Sequence, residues 1–358
     1  MAPSVINDGV DSAPQHTAKP VSSAIHPDFL DRLDKDFIEY YNENIATKPV
    51  THGITIEEMR ANPKKYASAW CRDFSSEPFV KDIKLTADDG HVFTARIYQP
   101  DEASSPFGSG PYPIYINFHG GGWTFGDLTG DAEICMAIRN RLGIIVMDVD
   151  YRLAPENAFG KGAEDAWAAI RWAYDTGASI NARPDRIAIG GISAGGHISA
   201  TAQQLARDIG LPLKLAILAV PAVVYEGDWE KPADSPYASM VENEFAPCLN
   251  WKRMDYFRHH YMPKSATEKA YFDALPVSYK SPLYGNLDGV CDTFIATASC
   301  DPLRDEGEAY GQELVKAGVL VTVRRYTGVP HPFMHMTPIK KAQMYVDDVC
   351  SELRRVLY

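Results

Sequence analysis

From Val80 to the C-terminus, short apolar runs alternate with longer amphipathic stretches, and this rhythm restricts the possible folds more than any other property of the chain. Strands are expected at 80–86, 92–98, 113–118, 144–149, 186–191, 215–220, 293–297 and 320–326. The stretches 132–141, 163–176, 194–209, 306–316 and 338–356 carry apolar residues at helical spacing. Apolar runs separated by helices of that length imply a mostly parallel sheet covered on both faces, which is the α/β class. The first two strands differ, because Asp88-Asp89-Gly90 between them is a hairpin turn signal. No internal repeat is visible.

Three segments stand outside the rhythm. Residues 1–24, rich in Ser, Pro and Ala, read as a mobile arm. Residues 25–75 read as N-terminal helices, with Phe29, Leu30, Leu33, Phe37, Ile38 and Tyr41 near helical spacing. A second short helix is expected at 56–64, where Glu57 and Glu58 suit the positive end of the helix. Residues 223–283 show no strand–helix rhythm but many aromatics, among them Tyr225, Trp229, Trp251, Phe257 and Tyr261. The reading is an insertion forming a helical cap over the carboxyl edge of the sheet, where open α/β sheets bind ligands. The catalytic body is then 76–222 together with 284–358.

A net charge of -12 argues against nucleic acid and anionic membrane surfaces as natural partners. Six cysteines without a C-x-x-C pair read as free thiols in a reducing compartment, while one or two disulfides stay open as the alternative. Met1 to Lys19 lacks the apolar core of a secretory signal, and no apolar run reaches membrane-spanning length. A cytoplasmic location is the expectation.

The chemistry lies in three places. Gly191-Ile192-Ser193-Ala194-Gly195-Gly196 follows an Ile-rich strand and opens a helix, the context in which a serine is held on a sharp turn as a nucleophile. His119-Gly120-Gly121-Gly122-Trp123 follows another strand. Consecutive glycines there suit N–H groups turned toward an oxyanion, so Gly121, Gly122 and Ala194 are the expected donors. His119 reads as an anchor for this loop. A phosphate cradle would need a different glycine spacing.

A serine nucleophile needs a base, and the base an orienting carboxylate. His331 follows the last strand directly and Asp301 follows the one before, so both should emerge at the edge that carries Ser193. His335 is the rival base and Asp305 the rival acid, each farther from its strand. His197, His259 and His260 read as structural or solvated, without the partners of a metal site. No metal or cofactor is needed. Trp123 and Phe125 read either as the lining of an apolar substrate pocket or as core packing.

Together these motifs resemble the hormone-sensitive-lipase-like esterases of the α/β-hydrolase superfamily. His119 to Trp123 looks like the family's H-G-G-G-[FW] segment, and Asp150 to Glu156 is similar to its D-Y-R-L-A-P-E segment. Gly191 to Gly196 parallels its nucleophile turn, Asp301 to Gly307 its D-P-L-x-D-E-G, and His331-Pro332-Phe333 its H-G-F. Ile192 and Pro332 depart from the family pattern. The resemblance implies an α/β-hydrolase fold with an eight-stranded, mainly parallel sheet and a helical cap. It also implies a carboxylesterase acting on small or medium-sized acyl or aryl esters through an acyl-enzyme. Some family members serve natural-product metabolism, and the last helix and strand are dimer surfaces in the family. Amide cleavage and non-hydrolytic ligand binding or cyclisation are the alternatives; the receptors among relatives lack the histidine that this chain has at 331.

Overall fold

The computed structural model describes residues 24–157, 159–225 and 229–358, so the expected arm lies, but for Ala24, outside the described residues. Strands β1 (Val80–Thr86) and β2 (Val92–Tyr98) form the antiparallel hairpin, and β3 (Tyr112–Phe118), β4 (Ile145–Asp150), β5 (Ala182–Ile192), β6 (Leu213–Ala219), β7 (Asp292–Cys300) and β8 (Val321–Pro330) follow. They make one eight-stranded sheet in the order β1-β2-β4-β3-β5-β6-β7-β8. Pairing is parallel from β4 through β8, and β2 runs antiparallel to β4. Strand order reflects composition: every residue of β3 is buried, whereas β1, at one edge, buries few.

Twelve α-helices accompany the sheet among the described residues. Before it come α1 (Lys35–Asn44), α2 (Ile56–Ala61) and α3 (Pro63–Tyr66); within it α4 (Ala132–Leu142), α5 (Lys161–Thr176) and α6 (Ala194–Asp208). Four short helices lie between β6 and β7: α7 (Ala238–Glu242), α8 (Trp251–Tyr261), α9 (Ala266–Ala274) and α10 (Val277–Lys280). The last two are α11 (Arg304–Lys316) and α12 (Lys340–Leu357).

The helices build two cores, one on each face of the sheet. Ala166, Ala169, Ile170 and Ala173 of α5 pack with Ile198, Ala202 and Ala206 of α6 on one side. Small residues let these helices approach the strands closely. On the other side Ile134 and Ile138 of α4 meet Tyr345, Val349 and Leu353 of α12. Each buried Ile, Val or Leu among them contributes about 1.5–3 kcal/mol. The N-terminal segment joins this second core through Phe29, Leu33, Phe37 and Tyr41, and the Asp34 N–H donates to the Gly328 carbonyl at 2.7 Å. Among the described residues no helix is long and apolar enough to cross a membrane.

Several strands are longer than the apolar pattern indicates, and β7 runs from Asp292 to Cys300 rather than over 293–297. β5 starts at Ala182, because Arg183-Pro184-Asp185 continues the strand without apolar side chains. β8, expected to stop at Tyr326, runs on to Pro330 through Gly328 and Val329. A register shift between Ala298 and Cys300 brings Pro330 opposite Cys300, so the extension stays paired despite its Gly and Pro.

Candidate active site

The parallel strands end at one edge, and their register decides which residues meet there. Phe118 lies opposite Gly191, so the loop after β3 runs beside the turn after β5. Ser193 is that turn. Its φ of 58° and ψ of -113° hold it in a conformation that side chains rarely adopt, and its N–H donates to the Ala219 carbonyl at 2.8 Å. Strain of this kind persists only where the surroundings enforce it. The enforcement is visible at Gly195, where a Cβ would lie 1.8 Å from the Phe118 carbonyl oxygen. Any larger residue would push the helix off the strand and release the turn.

The loop after β3 is fixed from both ends. His119 Nδ1 meets the Gly120 carbonyl at 2.8 Å, its ring stacks on Tyr151 at 4.3 Å, and the Tyr151 hydroxyl donates to the His119 carbonyl at 2.8 Å. Gly121 has φ 127°, and a Cβ there would lie 2.1 Å from the Phe125 carbonyl. Arg60 of α2 adds a brace, donating to the carbonyls of Thr124 at 3.0 Å and Ala154 at 2.7 Å. The N–H groups of Gly121, Gly122 and Ala194 make no backbone hydrogen bond among the described residues.

Since Cys300 pairs with Pro330, the next residue on each strand meets its counterpart. His331 Nδ1–H donates to Asp301 Oδ2 at 2.8 Å, and both side chains are buried. Asp301 is oriented by the Leu303 N–H on its other oxygen at 2.9 Å, while the Asn243 amide donates to its carbonyl at 3.0 Å. With Nδ1 spent on the carboxylate, Nε2 is the nitrogen left for proton transfer.

The rivals are occupied elsewhere. Asp305 accepts from the Ser239 N–H at 2.8 Å and pairs with Arg304 at 2.7 Å. His335 meets Asp131 through Nε2 at 2.7 Å, under the stacked ring of Trp70. Burial opposes ionisation of Asp131, but the hydrogen bond and charge of His335 and the Asn117 amide still hold its carboxyl below the ordinary value. Asn117 also donates to Asp148, whose carboxyl burial and the neighbouring Asp131 charge push well upward.

Two cavities adjoin Ser193. A narrow one of about 60 Å³ is lined by Trp123, Phe159, His197, Met254, Phe257 and Tyr261. A wide one of about 570 Å³ is lined by His331, Gly121, Phe125, Trp70, Arg60 and Arg253. Ser193 and Gly122 line both.

A family model described as alpha/beta hydrolase fold matches residues 115–335. The chain belongs to the α/β-hydrolases. The hydrolase is 36% identical over 248 residues to a carboxylesterase of Mycobacterium tuberculosis, covering 69% of this chain and 73% of the relative. It is 32% identical over 293 residues to an ethyl acetate hydrolase of Pseudomonas putida, covering 80% and 86%. A hyperthermophilic esterase of the archaeon Pyrobaculum calidifontis superposes with a TM-score of 0.76 at 27% identity, over 90% of this chain and 98% of that one. The hydrolase is a serine carboxylesterase of the hormone-sensitive-lipase-like group, acting on small-molecule esters.

Trp123 and Phe125, expected as pocket lining or as core packing, line the cavities, while several other lining residues of this hydrolase escape a reading of the sequence. Trp123 stacks on Tyr261 at 4.3 Å and donates from Nε1 to His197 Nδ1 at 3.3 Å. His197 is buried on the cavity wall rather than solvated, and burial pushes its imidazole down to about 4 despite a bond to the Tyr279 backbone. It lies one helical turn after Ser193, a spacing that places both on one face of α6 and was the available signal. Phe159 and Arg253 carry no comparable signal. His259 is exposed and His260 half-buried on α8. Among the described residues no cluster of His, Cys, Asp or Glu is arranged to hold a metal.

Proposed function

We propose that Ser193 is the nucleophile, His331 its base and Asp301 the orienting acid. The N–H groups of Gly121, Gly122 and Ala194 then receive the oxyanion. The observation that carries this reading is the buried His331–Asp301 hydrogen bond at 2.8 Å in the wall of a cavity that Ser193 also lines. His331 takes the Ser193 proton as the oxygen attacks the ester carbonyl, and returns it to the departing alcohol. Water then repeats the cycle on the acyl-enzyme.

The two cavities divide the substrate. The leaving oxygen must face the imidazole that protonates it, so the alcohol occupies the wide cavity lined by His331. The acyl group occupies the narrow one, closed by the Trp123–Tyr261 stack. A volume of about 60 Å³ suits a short acyl chain, in keeping with the ethyl acetate named for the Pseudomonas putida relative. Residues 25–75 and 223–283 act as the cap, supported by the lining they supply, Arg60 and Trp70 from the first and Phe257 and Tyr261 from the second. Six free thiols support a reducing, cytoplasmic setting, and the partly exposed edge strand β8 supports a homodimer.

A fluorophosphonate probe should label the wild type and leave Ser193→Ala unlabelled; equal labelling of both would sink the assignment. On p-nitrophenyl esters of graded length, kcat/KM should peak at two to four acyl carbons, on the order of tenfold above eight. A peak at long chains would contradict the division of the cavities.

A further inference from the structure

The wide cavity contains a positive charge that no carboxylate neutralises among the described residues. Two arginines line it, and they differ. Arg60 is paired with Glu156 through Nη2 at 2.8 Å, and the same nitrogen reaches the two carbonyls. Arg253, from the first turn of α8, has no carboxylate within ion-pair distance among the described residues. Its Nη1 donates to the Cys248 carbonyl at 2.7 Å, and its guanidinium lies 5.6 Å from the centre of the Phe257 ring. The titratable groups beside it among the described residues are the Cys248 thiol, the Tyr41 and Tyr256 phenols and the His52 imidazole, none of them a carboxylate. The carboxylates of the same cavity are engaged elsewhere: Asp131 by His335, Asp127 by the N–H and hydroxyl of Thr129.

Arg253 is only partly exposed, and burial lowers its guanidinium's affinity for its proton, so a charge left there without a carboxylate is costly. A structural role for Arg253 would need only the Cys248 contact, which one donor satisfies. The planar fork leaves further N–H groups in the geometry that a carboxylate accepts two at a time. The setting sharpens the point. In a chain of net charge -12, an anionic substrate meets a repulsive average field, and a local cation at the site is what admits it.

We propose that Arg253 forms an anion subsite in the wide cavity, selecting esters whose leaving alcohol or phenol carries a carboxylate. The proposal rests on the wide cavity being the leaving-group side. The aromatic lining around it, with Tyr66, Trp70, Phe125 and Phe257, fits a flat ring between the ester oxygen and that carboxylate. A hydroxybenzoate-type leaving group has this chemistry.

The test compares 4-acetoxybenzoate with 4-acetoxybenzamide, which differ in the charge at the far end of the leaving group. Intrinsic reactivity cancels when the ratio of their kcat/KM values is compared between variants. Arg253→Gln should lower the acid-to-amide ratio at least tenfold, and Arg253→Lys, which keeps a donor for the Cys248 carbonyl, should lower it less. Added salt should weaken the wild-type preference for the acid. Equal losses on both esters, or an unchanged ratio, would overturn the proposal and leave Arg253 as a loop anchor. If the wild type turned over neither ester, the leaving-group reading would fail, and binding would still decide Arg253. Calorimetry with Ser193→Ala should show 4-hydroxybenzoate binding at least tenfold tighter than 4-hydroxybenzamide, a difference lost on adding Arg253→Gln. Equal affinity for the two would overturn the subsite by itself.

Discussion

His331 and His335 lie four residues apart on the chain, and each meets a buried aspartate through one ring nitrogen at 2.8 and 2.7 Å. His331 spends Nδ1 on Asp301, a residue at the end of the adjacent strand, and leaves Nε2 for the role proposed for it. His335 spends Nε2 on Asp131, has its ring covered by Trp70, and leaves a buried Nδ1 without a hydrogen-bond partner among the described residues. Their acids differ as well. Asp301 is held by backbone groups at the sheet edge, whereas Asp131 continues inward through Asn117 to Asp148. A His–Asp pair is therefore no signature of catalysis by itself; which nitrogen remains free, and toward what, decides its use.

The largest expected difference between the pairs is in kcat. His331→Ala should lower it by about 10⁴–10⁶, as should Ser193→Ala. Asp301→Asn keeps the shape of the site but misdirects the imidazole, and should lower kcat by roughly 10⁴ in steady-state assays. His335→Ala should do the reverse. Stranding Asp131 in the core should remove about 3–5 kcal/mol from urea unfolding, with kcat changed less than about tenfold once the protein is folded. If His335→Ala abolished turnover without loss of stability, the roles assigned to the two pairs would be wrong.

The smallest effect concerns a third histidine, His197, and appears only as a function of pH. Its folded pKa of about 4 lies below the ordinary 6.5, so the unfolded chain binds the proton more readily between these values. Stability is complete above about 6.5 and falls as the pH drops toward 4, by roughly 3 kcal/mol in total. Thermal unfolding of His197→Gln across that window should show a flatter acid limb than the wild type. An identical acid limb would contradict the neutral, buried state of this imidazole.

How much of this was legible in the sequence differs by element. The strands β3 to β7 announce themselves as apolar runs, and Ser193, Asp301 and His331 each stand directly beyond a strand, where parallel strands end together. The last strand was harder, because Gly328 and Pro330 disguise its final paired residues. The lining was harder still. His335 and Asp131 are 204 residues apart, and nothing local in either segment points to the other. Arg253 and Tyr261 reach the cavities through a segment without strand rhythm, and Phe159 through the loop between β4 and α5; where such segments pack depends on the body beneath them.

The pairing of Cys300 with Pro330 has a further consequence for how this protein can vary. A slip of β8 by one residue would carry the imidazole about 3.3 Å along the strand and turn it to the opposite side of the sheet. On the proposed triad, errors in docking this edge strand yield inert molecules rather than sluggish ones, and a single-residue insertion between 321 and 330 has no intermediate to pass through. Change in substrate preference is correspondingly free only where no ladder sets the spacing, in the helices of 35–66 and 238–280.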